Sequence, residues 1–184
     1  MELTNEQKEE IKKYIQEYNK WILKNETIKE HREHSEFFKT NLTQQKIDDL
    51  YETSFSEIYK KLWASNIWGN KDWYINNKLL QPNGLPKIKE ELKKLLYGED
   101  DIIVRFNNFK SNIKGFGVAS ISEILHFVFP DKYCLWNDKP KTVLPYLKIN
   151  ILPERFFKYN LSSGEDYKEC VEALNLIKEE LKLN

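Results

Sequence analysis

Little in this chain could cross-link it or carry it into a membrane. Its 184 residues include two cysteines, Cys134 and Cys170, three histidines and one methionine. Two thiols in a chain rich in Lys, Glu, Ile and Asn do not form a disulfide framework. The histidines and cysteines also lack the ligand spacing of zinc or iron–sulfur sites, so no metal or other cofactor is expected. No apolar run approaches the roughly 18 residues of a membrane span, and no apolar signal segment is evident. A cytoplasmic, reducing location without membrane contact is therefore expected. Net charge is missing too, with 29 basic side chains against 29 acidic ones. Such a chain is not steered towards a polyanion by its overall field, so a nucleic-acid reader of this composition needs a local basic face. Glycine and proline number only six each, so each one marks a break. There is no internal repeat and no low-complexity linker.

What remains is a strongly helical pattern. Thr4 and Gln7 form a capping-box pair, followed by Ile11, Tyr14, Ile15, Tyr18 and Ile22 at helical spacing. The continuation from Lys24 to His34 is nearly all polar and reads as a solvated extension or joint. A second helix is expected after Thr43, with Ile47, Leu50, Tyr51, Phe55, Ile58, Tyr59, Leu62 and Trp63 on one stripe. Trp68, Trp73 and Tyr74 then sit among Gly69, Asn70, Asn76 and Asn77, residues that break a helical period.

Pro86 occupies a first helical position, and Ile88, Leu92, Leu95 and Leu96 follow until Gly98. The lysines from Lys87 to Lys94 read as a solvated helix face. Asp100 or Asp101 caps the next helix, lined by Ile102, Ile103, Phe106 and Phe109. Another helix carries Ile121, Ile124, Leu125 and Val128 and stops at Pro130. A short helix around Lys141 to Leu147 and a last one from about Glu165 to Leu181 complete the chain. No alternating strand pattern occurs, so the expected fold is all-α. A single domain over 1–184 is expected, made of an N-terminal helical layer (1–98), a central region (99–150) and a C-terminal helix (151–184).

The central region contains the most informative motif, Ile113-Lys114-Gly115-Phe116-Gly117-Val118-Ala119-Ser120, a glycine turn between two helices. Two glycines permit a tight turn and a close backbone approach, and the following helix offers unpaired N–H groups and a positive dipole end to an anion. A turn that only packs two helices together is the plain alternative.

The segment from Ile102 to about Ile149 resembles the helix-hairpin-helix element of the DNA glycosylase superfamily, over roughly a quarter of the chain. The resemblance implies a glycosylase-like helical domain with an N-terminal helical extension, in which 99–150 is the helix-hairpin-helix region. It implies phosphate contacts at Lys114, Gly115, Gly117, Val118 and Ala119, and a flipped base in an aromatic pocket. The catalytic aspartate of that family falls here on Asn137, and the nucleophilic lysine of its strand-cleaving members falls on Ala119. An amide or a methyl group supplies neither base nor nucleophile. The expected protein is a non-catalytic DNA-binding module, with a glycosylase that uses neighbouring Asp138 as the enzyme alternative. The run from Gly115 to His126, with Pro130-Asp131-Lys132-Tyr133 and Leu135-Trp136-Asn137, also looks like the N-terminal DNA-recognition region of some McrB-like modification-dependent restriction proteins. This chain lacks a phosphate-loop motif. That second resemblance therefore implies a specificity domain for double-stranded, modified DNA, with a AAA+ GTPase motor and a nuclease as partners in a defence system.

Aromatic side chains are abundant, with five Trp and ten Tyr. Trp63, Trp68, Trp73, Tyr74 and Trp136 are candidates for a base pocket, with Asn137 able to read a base edge. Core filling is the ordinary alternative for each tryptophan. Arg105, Lys110, Lys132, Lys139 and Lys141 are the basic residues expected to flank the turn, together with Lys114. A protein-interaction domain, in which the turn is structural and the first helix docks a partner, is the third reading.

Overall fold

A computed structural model of the chain describes residues 3–22, 27–149, 151–158 and 163–180. The fold is all-α, and the described residues contain no β-strand. None of their helices is long and apolar enough to cross a membrane.

Helix α1 (Asn5–Ile22) opens on the expected capping box. Gln7 N donates to Thr4 Oγ1 at 3.2 Å and Thr4 N donates to Gln7 Oε1 at 2.9 Å, so two orphan amides are satisfied reciprocally. Ile11 is buried, and Tyr14 and Ile15 pack at the core's edge. Lys24 to Glu26, and the side chains of Tyr18 and Ile22, lie outside the described residues.

The polar run after α1 departs from expectation. From Thr27 it forms α2 (Thr27–Asn41), which docks on the core instead of extending into solvent. His31, His34, Ser35 and Phe38 recur at helical steps, and Phe38 is fully buried and stacked on Phe127 at 5.5 Å. The stripe is genuine but is built mostly from polar residue types, so hydrophobicity alone does not reveal it.

The expected second helix is interrupted. It divides into α3 (Gln44–Asp48), α4 (Glu52–Lys61) and a 3₁₀ turn over Trp63–Ile67. Thr43 caps α3 by accepting from Lys46 N, whereas Tyr51 is extended and Ser54 Oγ accepts its N–H, which restarts the helix as α4. The lysine run on α7 (Leu85–Tyr97) does more than face solvent. Lys89 Nζ donates to Asp48 O and Leu50 O, and Lys93 pairs with Asp48 at 2.5 Å. These cations sit on the carbonyl end of α3, where the helix dipole favours positive charge.

The segment from Trp68 to Asn77, expected to break the helical period, is helical from Lys71 and continues to Asn83: α5 (Lys71–Tyr74), a π-helical segment (Ile75–Leu80) and α6 (Gln81–Asn83). Asn70 caps this stretch by accepting from Trp73 N at 2.9 Å, and Ile75 and Leu79 are fully buried. Helix α7 has proline in its first turn and stops at Gly98. Helix α8 (Ile102–Asn112) is capped by Asp101, which accepts from Ile103 N.

Helices α9 (Val118–Val128), α10 (Asp138–Tyr146) and α12 (Gly164–Glu180) match the remaining expectations, while the short α11 (Arg155–Lys158) carries no strong sequence signal. Leu181 lies outside the described residues. Helix α8 packs between α7 and α12, with Phe106 stacked on Tyr167 at 4.8 Å. Helix α9 is buried on nearly all sides, and α2 and the 3₁₀ turn pack against it. One buried cluster reaches from Leu3 to Ile177, each full-sized aliphatic or Phe side chain adding about 1.5–3 kcal/mol.

Candidate nucleic-acid interface

The turn between α8 and α9 is held from outside by the 71–83 stretch. Tyr74 Oη donates to Gly115 O at 2.8 Å. Asn83 makes a double contact with the backbone of the preceding residue, Lys114: Oδ1 accepts from Lys114 N at 2.8 Å and Nδ2 donates to Lys114 O at 2.9 Å. Tyr74 and Asn83 are nine positions apart, about two and a half turns of α-helix, which would place them on opposite faces. The π-helical segment between them underwinds the helix, and both side chains reach the turn. Nothing in the sequence singled out Asn83, since Pro82-Asn83-Gly84 reads as a loop.

The two glycines do different work. Gly115 has φ +86°, and a Cβ there would lie 2.5 Å from Lys78 O and 2.6 Å from a Leu79 methyl, so both conformation and packing demand glycine. Gly117 has an ordinary φ of −85° and is exposed, and a Cβ on it would meet no atom within 4 Å among the described residues. It is also the N-cap of α9, which begins with no side-chain cap. The first amides of α9, at Val118 and Ala119, therefore open next to an unobstructed backbone position, with exposed Lys114 on the turn.

Beside the turn stands a short aromatic column. Trp68 stacks on Tyr74 with ring centroids 3.9 Å apart and planes 18° from parallel, and Tyr59 continues the column at 6.1 Å from Tyr74. Tyr59 is buried, and burial drives its hydroxyl pKa well above the ordinary value, against the hydrogen-bonding influence of Trp68 and Ser120. Trp68 is 36 % exposed and Trp73 52 % exposed, with Lys78 Nζ 5.5 Å over the Trp73 ring. Trp68 and Tyr74, two of the expected aromatics, thus stand together beside the turn, and Trp73 precedes Tyr74 on the same helix with its ring exposed under Lys78.

Trp136 and Trp63 do not join them. Trp136 is 1 % exposed, packed edge-on to Phe156, and its Nε1 has no hydrogen-bond partner among the described residues. Its backbone is pinned to α9, because Trp136 N donates to Ser122 Oγ at 3.1 Å. It sits in the core, closed to a base. The Trp63 ring packs with His34, His31 and Phe127. Asn137 is the N-cap of α10, its Oδ1 accepting from Lys139 N at 2.9 Å. The Asp138 side chain is wholly exposed and 3.9 Å from Lys141.

The expected basic flank changes membership. Arg105 is buried: it donates to Asp100 O, Leu95 O and the Tyr133 hydroxyl, so it ties α7, α8 and the loop after α9 together. A guanidinium so engaged is not available to a phosphate. Lys132 lies over Tyr133 at 5.3 Å, Lys110 is half-buried and Lys139 is exposed. Lys78, absent from the expected flank, is exposed, with its backbone carbonyl against Gly115 and its ammonium over the Trp73 ring.

Behind α9 lies a second polar cluster that holds all three histidines. His126 Nδ1 donates to Tyr133 O at 3.0 Å, which leaves Nε2 as the acceptor for His31 Nε2, 3.4 Å away. His34 donates to Lys61 O at 3.0 Å. Burial lowers the pKa of His126 and of His31, and the neighbouring His126 and His34 lower His31 further. Glu123, 1 % exposed, accepts from Trp63 N at 2.5 Å and Ala64 N at 2.9 Å and thereby caps the 3₁₀ turn. Burial pushes its pKa up to about 7, although those two amides pull the other way. Both cysteines are free, and no group of three or more His, Cys, Asp or Glu among the described residues is placed to hold a metal ion. Comparison with protein-family models, curated proteins and solved structures found no match to this chain.

Proposed function

We propose that the protein is a non-catalytic DNA-binding module in which α8, the glycine turn and α9 act as a helix-hairpin-helix element of the glycosylase kind. The observation that carries this reading is the contrast between its glycines. Packing and a positive φ account for Gly115, whereas Gly117 fills no such role and leaves the start of α9 open. A phosphate on the amides of Gly117, Val118 and Ala119, with Lys114 beside it, suits that opening. The position of the family's catalytic carboxylate is an amide, Asn137, already used as a helix cap. Base recognition falls to Trp68, braced by Tyr74, and to Trp73, and the target is a modified or flipped base read on behalf of a motor and nuclease of a McrB-like defence system.

Gel retention of duplexes carrying methylated, damaged or unmodified bases, alongside an assay for abasic sites, tests the reading. Retention without base release is expected, weakened at least tenfold by Gly117→Glu while the circular dichroism spectrum is unchanged. Base release abolished by Asp138→Ala would replace the reading with a glycosylase. Failure to retain any duplex or single strand at low salt would leave a protein-interaction domain.

A further inference from the structure

Exposed tryptophan is the feature that neither the core nor the turn explains. Residues 67–73 carry Ile67 at 76 %, Trp68 at 36 % and Trp73 at 52 % exposure. The inner face of Trp68 lies on Tyr74, whose hydroxyl is fixed on Gly115 O, so the indole is a braced plate beside the turn. Trp73 stands one residue before Tyr74 with the Lys78 ammonium over its ring. The acid of this stretch, Asp72, is paired with Lys60 at 2.5 Å, whereas Lys78 and Lys114 are exposed. The patch therefore combines open π faces with positive charge and the positive end of α9. That combination complements a polyanion with unpaired bases. A purely apolar protein partner would leave the lysines and the helix end uncompensated.

The shape of the patch separates it from a flipped-base pocket. The buried Trp136 cannot form a wall, and clefts elsewhere border other residues, such as the one of about 290 Å³ lined by Thr4, Gln7, Glu10, Tyr146 and Lys148. Trp68 and Trp73 are open plates, and bases must reach them from outside. We propose that Trp68 and Trp73 stack unpaired bases of single-stranded DNA whose backbone passes over the Gly117 end of α9. This inference rests on the DNA-binding reading above and adds the strand state of the ligand.

Fluorescence anisotropy with a labelled mixed-sequence single strand, the corresponding duplex and an RNA of the same sequence tests it on the full chain. The single-stranded DNA should bind most tightly. Trp73→Ala should weaken it by roughly 5- to 150-fold, the range for loss of one base–aromatic stack, and should leave duplex binding little changed. Trp68→Ala should act in the same direction, but it also removes a packing partner of Tyr74. Trp73→Ala, at the more exposed site, is therefore the deciding variant. Lys78→Ala should reduce the salt slope by about one ion-release unit or slightly less. Duplex binding that depends on Gly117, with no preference for single strands and no effect of Trp73→Ala, would overturn this inference alone. Absence of all binding would overturn the DNA reading with it, and tighter binding of the RNA would overturn the assignment to DNA.

Discussion

Replacing Gly115 and Gly117 separately by alanine should have unequal consequences, although the two residues are only two positions apart. At Gly115 the new methyl would start 2.5 Å from Lys78 O and 2.6 Å from Leu79 Cδ2, on a backbone with φ +86°. The conformational strain of a side chain at positive φ is about 1–3 kcal/mol, and overpacking against a fixed helix adds about 1–3 kcal/mol. The carbonyl of Lys78 has little freedom to retreat, because it belongs to the π-helical segment anchored by buried Ile75 and Leu79. A total loss of roughly 2–6 kcal/mol lowers Tm by about 4–24 °C in a chain of this size. At Gly117 the methyl meets open space on ordinary backbone, so the change should stay within about 1 kcal/mol, the difference between glycine and alanine at an N-cap offset by reduced unfolded-state entropy. Thermal unfolding followed by circular dichroism reads both. A Gly115→Ala protein that melts within about 2 °C of the parent, or a Gly117→Ala protein that loses as much as Gly115→Ala, would refute the division of labour.

Further expectations concern the groups behind the turn. Arg105→Met should cost about 2–4 kcal/mol in urea unfolding, since the carbonyls and hydroxyl it serves lose a buried charged donor; the salt slope of DNA binding should not change, because the guanidinium lies inside the fold. Glu123 has its folded pKa raised from 4.5 to about 7, so the folded state holds more protons than the unfolded chain across that interval. Its contribution is therefore full below about 4.5 and is lost as pH rises through about 7; the unfolding free energy of the parent minus that of Glu123→Gln, in which the opposing histidine contributions cancel, should follow that trend. The histidines act in the opposite sense. His31 and His126 are lowered below 6.5, so their contribution is present above 6.5 and lost as pH falls. Proton NMR should find both titrating below 6.5, and a midpoint above 6.5 for either would contradict the packing of α2 on α9.

The readings that survived the structure share a cause. Thr4 with Gln7, Asp101, Pro86 and Gly98 act on backbone groups within a few residues, so their effects are visible in a short stretch of sequence. The corrections share another. Arg105 was grouped with the surface cations by proximity in sequence, but three acceptors from α7 and the loops around it draw the guanidinium inside. Trp136 adjoins Asn137 in sequence, yet one faces the core and the other caps a helix. Lysines 89 and 93 look like any solvated pair until α3 places its carbonyl end against them.

By itself the sequence determined the helical class, the starts of α1, α7 and α8, the stops of α7 and α9 and the glycine turn before α9, because propensity, capping and φ preference are local. Only the tertiary structure decided which glycine is structural and which is free. It also decided that a π-helical segment turns Tyr74 and Asn83 onto adjacent residues of one turn, Gly115 and Lys114, and that two tryptophans remain outside while a third is enclosed. Those outcomes depend on how distant helices meet, and the chemistry of a surface is set by what the packing leaves uncovered.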